Sequence, residues 1–306
     1  MGTGLLRRAV PLESDVIEVI DSQIHIWRVI PGEDVDRSED LYNVFGSPED
    51  AMTIERAIAS MNAVGVHRAV LALPPIFRSM DYALEAIKRY PDRFVAVVRR
   101  LDHLSPDVDN KVRHIRDQAG VLALRVVFNR DEMLGNLRAG DYDRLWTAAS
   151  AYGVPIMLHV SGHLPEVVPV AQRFPHLRLL IDHMGLHQPP SHTSPRPFEH
   201  LDHLLALSDY PNIAVKVSGV ASLSREQYPF SDLWPHLHRV IAAFGIQRVA
   251  WGSDFTRLSR IVTYADSLSF VLHSTELADD DKDWILRKSI RALLDWPSDV
   301  RTSAKA

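Results

Sequence analysis

The chain has 306 residues, of which 46% are hydrophobic and 24% charged, and its formal net charge is −5. This composition is typical of a globular protein with a large core, and the mild charge with no basic stripe predicts no nucleic-acid partner. The absence of cysteine excludes disulfides, thiolate nucleophiles and cysteine zinc sites, and is compatible with a cytoplasmic location. No run of about 18 apolar residues predicts a membrane span, and the first 15 residues do not resemble a secretory signal.

Short runs rich in Val, Ile and Leu alternate with longer amphipathic stretches along the chain. Near-continuous apolar runs are typical of parallel strands that are buried on both faces. There are eight such runs, at residues 16–27, 67–73, 94–101, 120–128, 155–160, 177–185, 212–219 and 248–255. The stretches between them show helical spacing of apolar residues, as at Ile54, Ala57, Ile58 and Met61.

Eight strand–helix units predict an α/β fold, a (β/α)8 TIM barrel that forms a single domain over residues 1–306. The barrel core is expected at about residues 16–296, between frayed termini. An open doubly wound sheet is the alternative, but it normally has a Gly-rich loop after its first strand, and this chain has none. The segment Val29–Pro48 is expected to cover the mouth of the barrel as a lid.

Polar residues end six of the predicted strands, and catalytic groups of such barrels lie at strand C-termini. They are Asp21, Gln23 and His25 on the first strand, Arg125 on the fourth, His159 on the fifth, Asp182 and His183 on the sixth, Lys216 and Ser218 on the seventh, and Ser253 and Asp254 on the eighth. Because alternate strand residues share a face, Gln23 and His25 point the same way. Burying so many polar groups without a function is costly, so we expect them to line one site.

Five motifs, DSQIHIW, MLHVSG, LLIDHMG, NIAVKVSG and WGSDF, occur in this order at the ends of the predicted strands. In these motifs the chain, over roughly residues 17–296, resembles the amidohydrolase superfamily and specifically its amidohydrolase-related group of lactonases and decarboxylases. The resemblance implies metal ligands at His25, His159 and Asp254, with Gln23 as a further ligand. It also implies catalytic roles for Asp254 and His183 and a single divalent ion, Zn²⁺ or Mn²⁺.

Gln23 departs from the pattern of the family, which usually has His at this position, or Glu in some decarboxylases. A glutamine carbonyl is a poorer ligand for Zn²⁺ or Mn²⁺ than an imidazole or a carboxylate. A site that works without metal is therefore the open alternative, as is thought for some lactonases of this kind.

Three basic residues are candidates for substrate binding. Arg125 is predicted to hold a substrate carboxylate in a two-pronged contact, with an internal salt bridge as the alternative. Arg257 is a second, weaker candidate for binding an anion. Lys216 is a third candidate, and its favoured alternative is a lysine paired with a carboxylate inside the barrel. Further histidines lie on the mouth loops and are expected to be solvated, namely His163, His187 and His192.

The resulting hypothesis is hydrolysis of a lactone in a small carboxylated molecule. Asp254 would act as general base and His183 would stabilise the oxyanion, with or without a metal ion. One alternative is metal-dependent, non-oxidative decarboxylation of an aromatic or unsaturated acid, which Gln23 disfavours. Another is a non-catalytic homologue that binds a carboxylated ligand. Aromatic residues on the late helices are compatible with a homodimer.

Overall fold

The strands form one parallel sheet in sequential order. The computed structural model describes residues 17–28, 50–75, 77, 79–99, 101–128, 130–190 and 192–297; the predicted lid and the predicted frayed termini lie outside them. The strands are β1 (Ile20–Ile24), β2 (Arg68–Ala72), β3 (Phe94–Arg99), β4 (Val121–Val127), β5 (Ile156–His159), β6 (Leu179–Ile181), β7 (Ile213–Ser218) and β8 (Val249–Gly252). Each pairs in parallel with the next, so all eight predicted strands are confirmed.

The first and last strands meet at a seam that brings the sheet close to a closed barrel. The Asp254 amide donates to Gln23 O at 3.0 Å, and the Ser253 amide donates to the Asp21 carboxylate at 2.9 Å. The approach is close, because a Cβ added at Gly252 would lie 2.5 Å from Ser22 Oγ. With helices between its strands, this sheet confirms the predicted (β/α)8 TIM barrel.

Helices alternate with the strands and surround them. They are α1 (Ile54–Val64), α2 (Asp81–Arg89), α3 (Val108–Asp117), α4 (Asp131–Ala139), α5 (Asp143–Tyr152), α6 (Val168–Arg173), α7 (Leu201–Leu205), α8 (Trp234–Phe244), α9 (Phe255–Leu258), α10 (Tyr264–Leu272), α11 (Asp279–Asp283) and α12 (Ser289–Leu294). Sequence patterns did not predict α4, because Leu134 is its one buried residue and Gly135, a poor helix former, lies at its centre. Within the described ranges, no helix combines the length and the apolar character that a bilayer crossing requires.

The barrel interior is packed with apolar side chains at the end where the strands begin. Small residues from β4, β7 and β8, namely Ala123, Ala214 and Ala250, pack there with Met157 and Leu180. The last helix, α12, lies against the same end, and its Ile290 and Leu294 join this cluster together with Trp296. Salt bridges from Arg291 to Glu18 and from Arg178 to Asp295 hold α12 beside the starts of β1 and β6. The open end of the barrel is therefore the one at which the strands finish.

Asp21 is predicted to stabilise the β1–β8 seam. Its carboxylate accepts hydrogen bonds from the amides of Gln23 and Ser253 and from Ser253 Oγ, and burial raises the pKa of Asp21 to about 6. We expect Asp21→Ala to lower the free energy of unfolding by about 3 kcal/mol, because buried donors lose a charged acceptor. Urea unfolding monitored by circular dichroism measures this, and Asp21→Asn, which keeps an acceptor oxygen, should lose less. Wild-type stability in the alanine variant would contradict the prediction.

Candidate active site

A cavity of about 260 Å³ opens where the strands finish. It is lined by predicted site residues from β1, β4, β5, the end of β6 and the segment after β8, which are Gln23, His25, Arg125, His159, His183 and Arg257. Asp254 and Lys216 are fully buried behind this lining, where Asp254 contacts His25 and Lys216 contacts Gln23. The structure thus brings together the residues that the strand-end pattern selected.

Two residues of the site have a backbone conformation that is unfavourable for residues other than glycine. His183, two residues after the end of β6, has φ 56°, and Asp254, two residues after the end of β8, has φ 51°. Residues other than glycine are uncommon in this left-handed region and cost of the order of 1 kcal/mol or more there. Their amides are held by Ser218 Oγ and Gln23 O respectively. These contacts fix the direction in which the imidazole and the carboxylate point.

Asp182 is buried between two cations below the cavity. Its carboxylate oxygens lie 2.7 Å from Arg125 Nε and 2.9 Å from Lys216 Nζ. Burial alone would raise the pKa of Asp182, but the charges of Lys216 and Arg125 hold it far below its usual value. Lys216 is therefore a buried lysine paired with a carboxylate, whereas Arg125 has this salt bridge and also lines the cavity.

Hydrogen-bond directions fix the tautomer of His183. An ammonium group only donates, so the side-chain oxygen of Gln23 is the atom that faces Lys216 Nζ, at 2.5 Å. The Gln23 amide nitrogen then donates to His183 Nε2 at 3.2 Å, and the ring hydrogen sits on Nδ1, 3.1 Å from Ser218 O. Burial lowers the pKa of His183 to about 4, in agreement with a neutral ring.

His159 has the opposite tautomer. Arg125 Nη2 lies 3.3 Å from His159 Nδ1, and a guanidinium only donates, so the ring hydrogen is on Nε2. Burial and the charge of Arg125 lower the pKa of His159 well below the usual value. No described residue is hydrogen-bonded to Nε2, and the ring lines the cavity. His159 therefore offers a neutral N–H donor to a ligand.

Asp254 is an ionised carboxylate held by His25 and Arg257. His25 Nδ1 donates to Ala72 O at 2.8 Å, which leaves its Nε2 facing Asp254 Oδ1 at 3.1 Å. Arg257 Nε lies 2.6 Å from Oδ2. Although burial would raise the pKa of Asp254, Arg257 and His25 hold it well below the usual value. Oδ1 receives no well-directed hydrogen bond from the described residues, so it is the oxygen with capacity for another partner.

Arg257 uses its remaining nitrogens on the loop that follows β6. Nη1 donates to Pro189 O and Nη2 donates to Gln188 Oε1, each at 2.7 Å. All three guanidinium nitrogens thus bind protein atoms. This arrangement connects the loop to Asp254, and it does not favour the predicted role of Arg257 as an anion-binding residue.

Four further arginine and histidine residues of the described chain line the cavity, one of which the sequence patterns did not select. Arg99, the last residue of β3, pairs in register with Arg125 and lines the cavity. Its position at the end of a strand is the same signal that identifies Arg125. The three loop histidines expected to be solvated, His163, His187 and His192, also line the cavity.

The predicted metal ligands do not fit a divalent ion in this arrangement. His159 Nε2 carries the ring hydrogen, and the Gln23 oxygen accepts from Lys216. Only His25 Nε2, when neutral, and Asp254 Oδ1 face each other with lone pairs that an ion could share. Over the part of the chain that the structure describes, no three His, Asp or Glu side chains are grouped as a metal site. Structural zinc needs four ligands and catalytic zinc normally three from the protein.

We expect the imidazole of His183 to stay neutral on acidification until a pH of about 4, because burial disfavours the charged ring. Histidine-selective ¹⁵N NMR over a pH series measures both its tautomer and its midpoint, with His183→Gln to assign the signal. A midpoint near the usual value of about 6.5 would contradict the prediction, as would an Nε2–H tautomer at neutral pH.

Known proteins resemble this chain in sequence and in fold. A segment of 96 residues, 30% of this chain, is 35% identical to L-fucono-1,5-lactonase of Burkholderia ambifaria and covers 31% of that relative. A zinc-bound amidohydrolase of Burkholderia multivorans superposes with a TM-score of 0.76 at 17% identity, over 92% of this chain and 100% of that one. The probable 2-pyrone-4,6-dicarboxylic acid hydrolase of Acinetobacter baumannii, with citric acid bound, does so with a TM-score of 0.73 at 18% identity, over 91% and 100%.

The two structural likenesses, at such low identity, show the shared barrel alone. The family model gives a more specific assignment. An amidohydrolase model matches residues 20–296, which include all eight strands and every residue of the site, and the chain therefore belongs to the amidohydrolase family.

Proposed function

We propose that the protein hydrolyses the lactone ring of a small carboxylated molecule. The observation that carries the proposal is a cavity lined by a preorganised arginine, Arg125, and a neutral N–H donor, His159, with the ionised carboxylate of Asp254 buried directly behind its wall and in contact with His25. These are the groups that ester hydrolysis requires: a clamp for the substrate, a donor for the oxyanion and an acceptor for a proton.

Arg125 binds the substrate carboxylate. Its Nε is fixed on Asp182 and its Nη2 on His159, so the guanidinium is held in place before substrate arrives. Arg99 lies beside it in the sheet register and adds a second positive charge to the same wall. The cavity of about 260 Å³ is at the small end of ligand sites, which commonly range from about 300 to 1,000 Å³. A substrate with a single ring is therefore the best fit.

His159 polarises the lactone carbonyl. A neutral imidazole with its hydrogen on Nε2 donates a hydrogen bond to the carbonyl oxygen. This hydrogen bond becomes stronger as negative charge develops on that oxygen. We assign the oxyanion role to His159 instead of His183. The hydrogen of His183 is directed at Ser218 O and its Nε2 accepts from Gln23, so His183 acts by positioning its neighbours.

The His25–Asp254 pair takes the proton of the attacking water. His25 lines the cavity, its Nε2 contacts Asp254 Oδ1, and the ionised carboxylate stabilises the imidazolium that forms. The hydroxide adds to the carbonyl carbon, the ring C–O bond breaks, and the same proton passes to the leaving oxygen. Asp254 thus serves as the general base together with His25, and no step depends on a metal ion.

The names of the relatives support this reaction class. The relative from Burkholderia ambifaria is named as a lactonase, and the Acinetobacter baumannii protein as a probable hydrolase of a pyrone dicarboxylic acid. A panel of carboxylated lactones and aromatic acids tests the proposal by mass spectrometry. The expected product is the ring-opened acid, whose mass exceeds that of the substrate by one water. Carbon dioxide release would replace the proposal with decarboxylation, and binding without any product would replace it with a non-catalytic role.

Asp254→Asn should lower kcat by about 10³-fold, since general-base groups contribute roughly 10² to 10⁴. The fold should persist, because asparagine has the same shape and tolerates left-handed backbone. Steady-state kinetics measure the effect, and Asp279→Asn makes the same chemical change on the exposed start of α11 as a control. Full activity in Asp254→Asn would remove the mechanism.

Arg125→Lys should raise KM for carboxylated lactones about tenfold, because a lysine keeps the charge but cannot bind a carboxylate in two-pronged fashion. The KM for the methyl ester of that substrate should change much less, since the ester lacks the anionic group and is affected only through the contacts of Arg125 with Asp182 and His159. Equal losses for the acid and the ester would show that Arg125 does not recognise the carboxylate.

A further inference from the structure

Lys216 is a buried charge that the proposed reaction does not use. It lies on β7 with no exposed surface and does not line the cavity. Its ammonium contacts the Gln23 oxygen at 2.5 Å, Asp182 Oδ1 at 2.9 Å and Met157 Sδ at 3.6 Å. A lysine is expensive to bury, so a fixed ammonium at this position needs an explanation.

The charged side chains of the site sum to a net positive charge. The buried carboxylates of Asp182 and Asp254 are opposed by three cations, Lys216, Arg125 and Arg257. Asp21 in the β1–β8 seam and Arg99 on the cavity wall add one charge of each sign and leave this balance unchanged. His159 and His183 each accept a hydrogen bond at one ring nitrogen, from Arg125 and Gln23 respectively, so neither ring adds a charge. A divalent ion would add two further positive charges to a poorly hydrated place that holds a surplus of one.

The side chain of Gln23 lies between the ammonium group of Lys216 and the imidazole of His183 and is hydrogen-bonded to both. Its oxygen must accept from Lys216, so its amide nitrogen must donate to His183 Nε2. His183 then has no lone pair for a metal, since Nδ1 carries the hydrogen that Ser218 O accepts. A histidine at position 23 would offer Lys216 no oxygen. Glutamine suits this place because it has both an acceptor and a donor.

We propose that Lys216 is a built-in cation that takes the place of a metal ion in this site, and that Gln23 is the positioning residue through which it acts. The ammonium orients the Gln23 amide, and the amide occupies the His183 nitrogen that a metal would need. The inference depends on these contacts and charges, and it does not require the proposed lactone hydrolysis to be correct.

Zinc binding tests the inference without any substrate. Isothermal titration with ZnCl₂, and metal content after exposure and desalting, should be measured on wild type, Gln23→His, Lys216→Met and the double variant. We expect the double variant to bind one Zn²⁺ per chain at least about 100-fold more tightly than the wild type. Gln23→His alone should gain little because the ammonium remains, and Lys88→Met, on the exposed face of α2, should change nothing.

Two outcomes of the zinc experiment would overturn the inference. One is wild-type protein that binds one Zn²⁺ as tightly as the double variant. The other is a double variant with unchanged far-ultraviolet circular dichroism that gains no affinity.

A second experiment leaves Lys216 in place and therefore does not empty the core. In Gln23→Glu the carboxylate still accepts from Lys216 but has no hydrogen to donate to His183. We expect ¹⁵N NMR to show His183 change from the Nδ1–H tautomer to a form with hydrogen on Nε2. An unchanged tautomer in folded Gln23→Glu would show that Gln23 does not position His183. Failure of this result would leave the assay of lactone hydrolysis unaffected, so the two proposals fail separately.

Discussion

The site depends on the buried carboxylate of Asp182, which lies between Arg125 and Lys216. The three charges come from β4, β7 and the residue after β6, and none of them would be stable alone in the barrel interior, because a buried charge without a partner is far costlier than a paired one. Asp182 therefore determines where both cations sit. The geometry of the rest of the site begins at these two salt bridges.

From Asp182 the hydrogen-bond directions extend along two branches. Arg125 donates to His159, and Lys216 donates to Gln23, which donates in turn to His183. Arginine and lysine have no acceptor, so each branch can be arranged in one direction only. The two imidazoles consequently carry their hydrogens on different nitrogens, and each is neutral. The orientation of His25 is fixed separately, by its hydrogen bond to the backbone carbonyl of Ala72. In this orientation its other ring nitrogen contacts Asp254.

The sequence allowed much of the barrel to be predicted, since strands buried on both faces leave a local apolar pattern and each strand end can be found from it. The rule that site residues follow strand ends then selected His25, Arg125, His159, His183 and Asp254 correctly as neighbours. It could not give the hydrogen-bond directions, which join residues as distant as Gln23 and Lys216, 193 positions apart.

The contacts of Arg257 also could not be predicted from the sequence around it. Its charge and position suggested a binding role for anions, but its contacts with Pro189 and Gln188 follow from how a loop crosses the barrel mouth. A local pattern contains no information about such a crossing. Arg99 differs, because it ends a predicted strand and was accessible to the same rule that found Arg125.

The division between buried and cavity-lining residues has a consequence for specificity. The charged set of Asp182, Lys216 and Asp254 has no exposed surface, so a change of substrate need not disturb it. The residues that line the cavity above it include His187 and His192, on the loop after β6. Arg257 ties that same loop to Asp254, through the Pro189 carbonyl and Gln188. We expect loop replacements that keep the contacts of Arg257 to change which molecule is bound without moving Asp254. Replacements that lose these contacts would displace Asp254 as well.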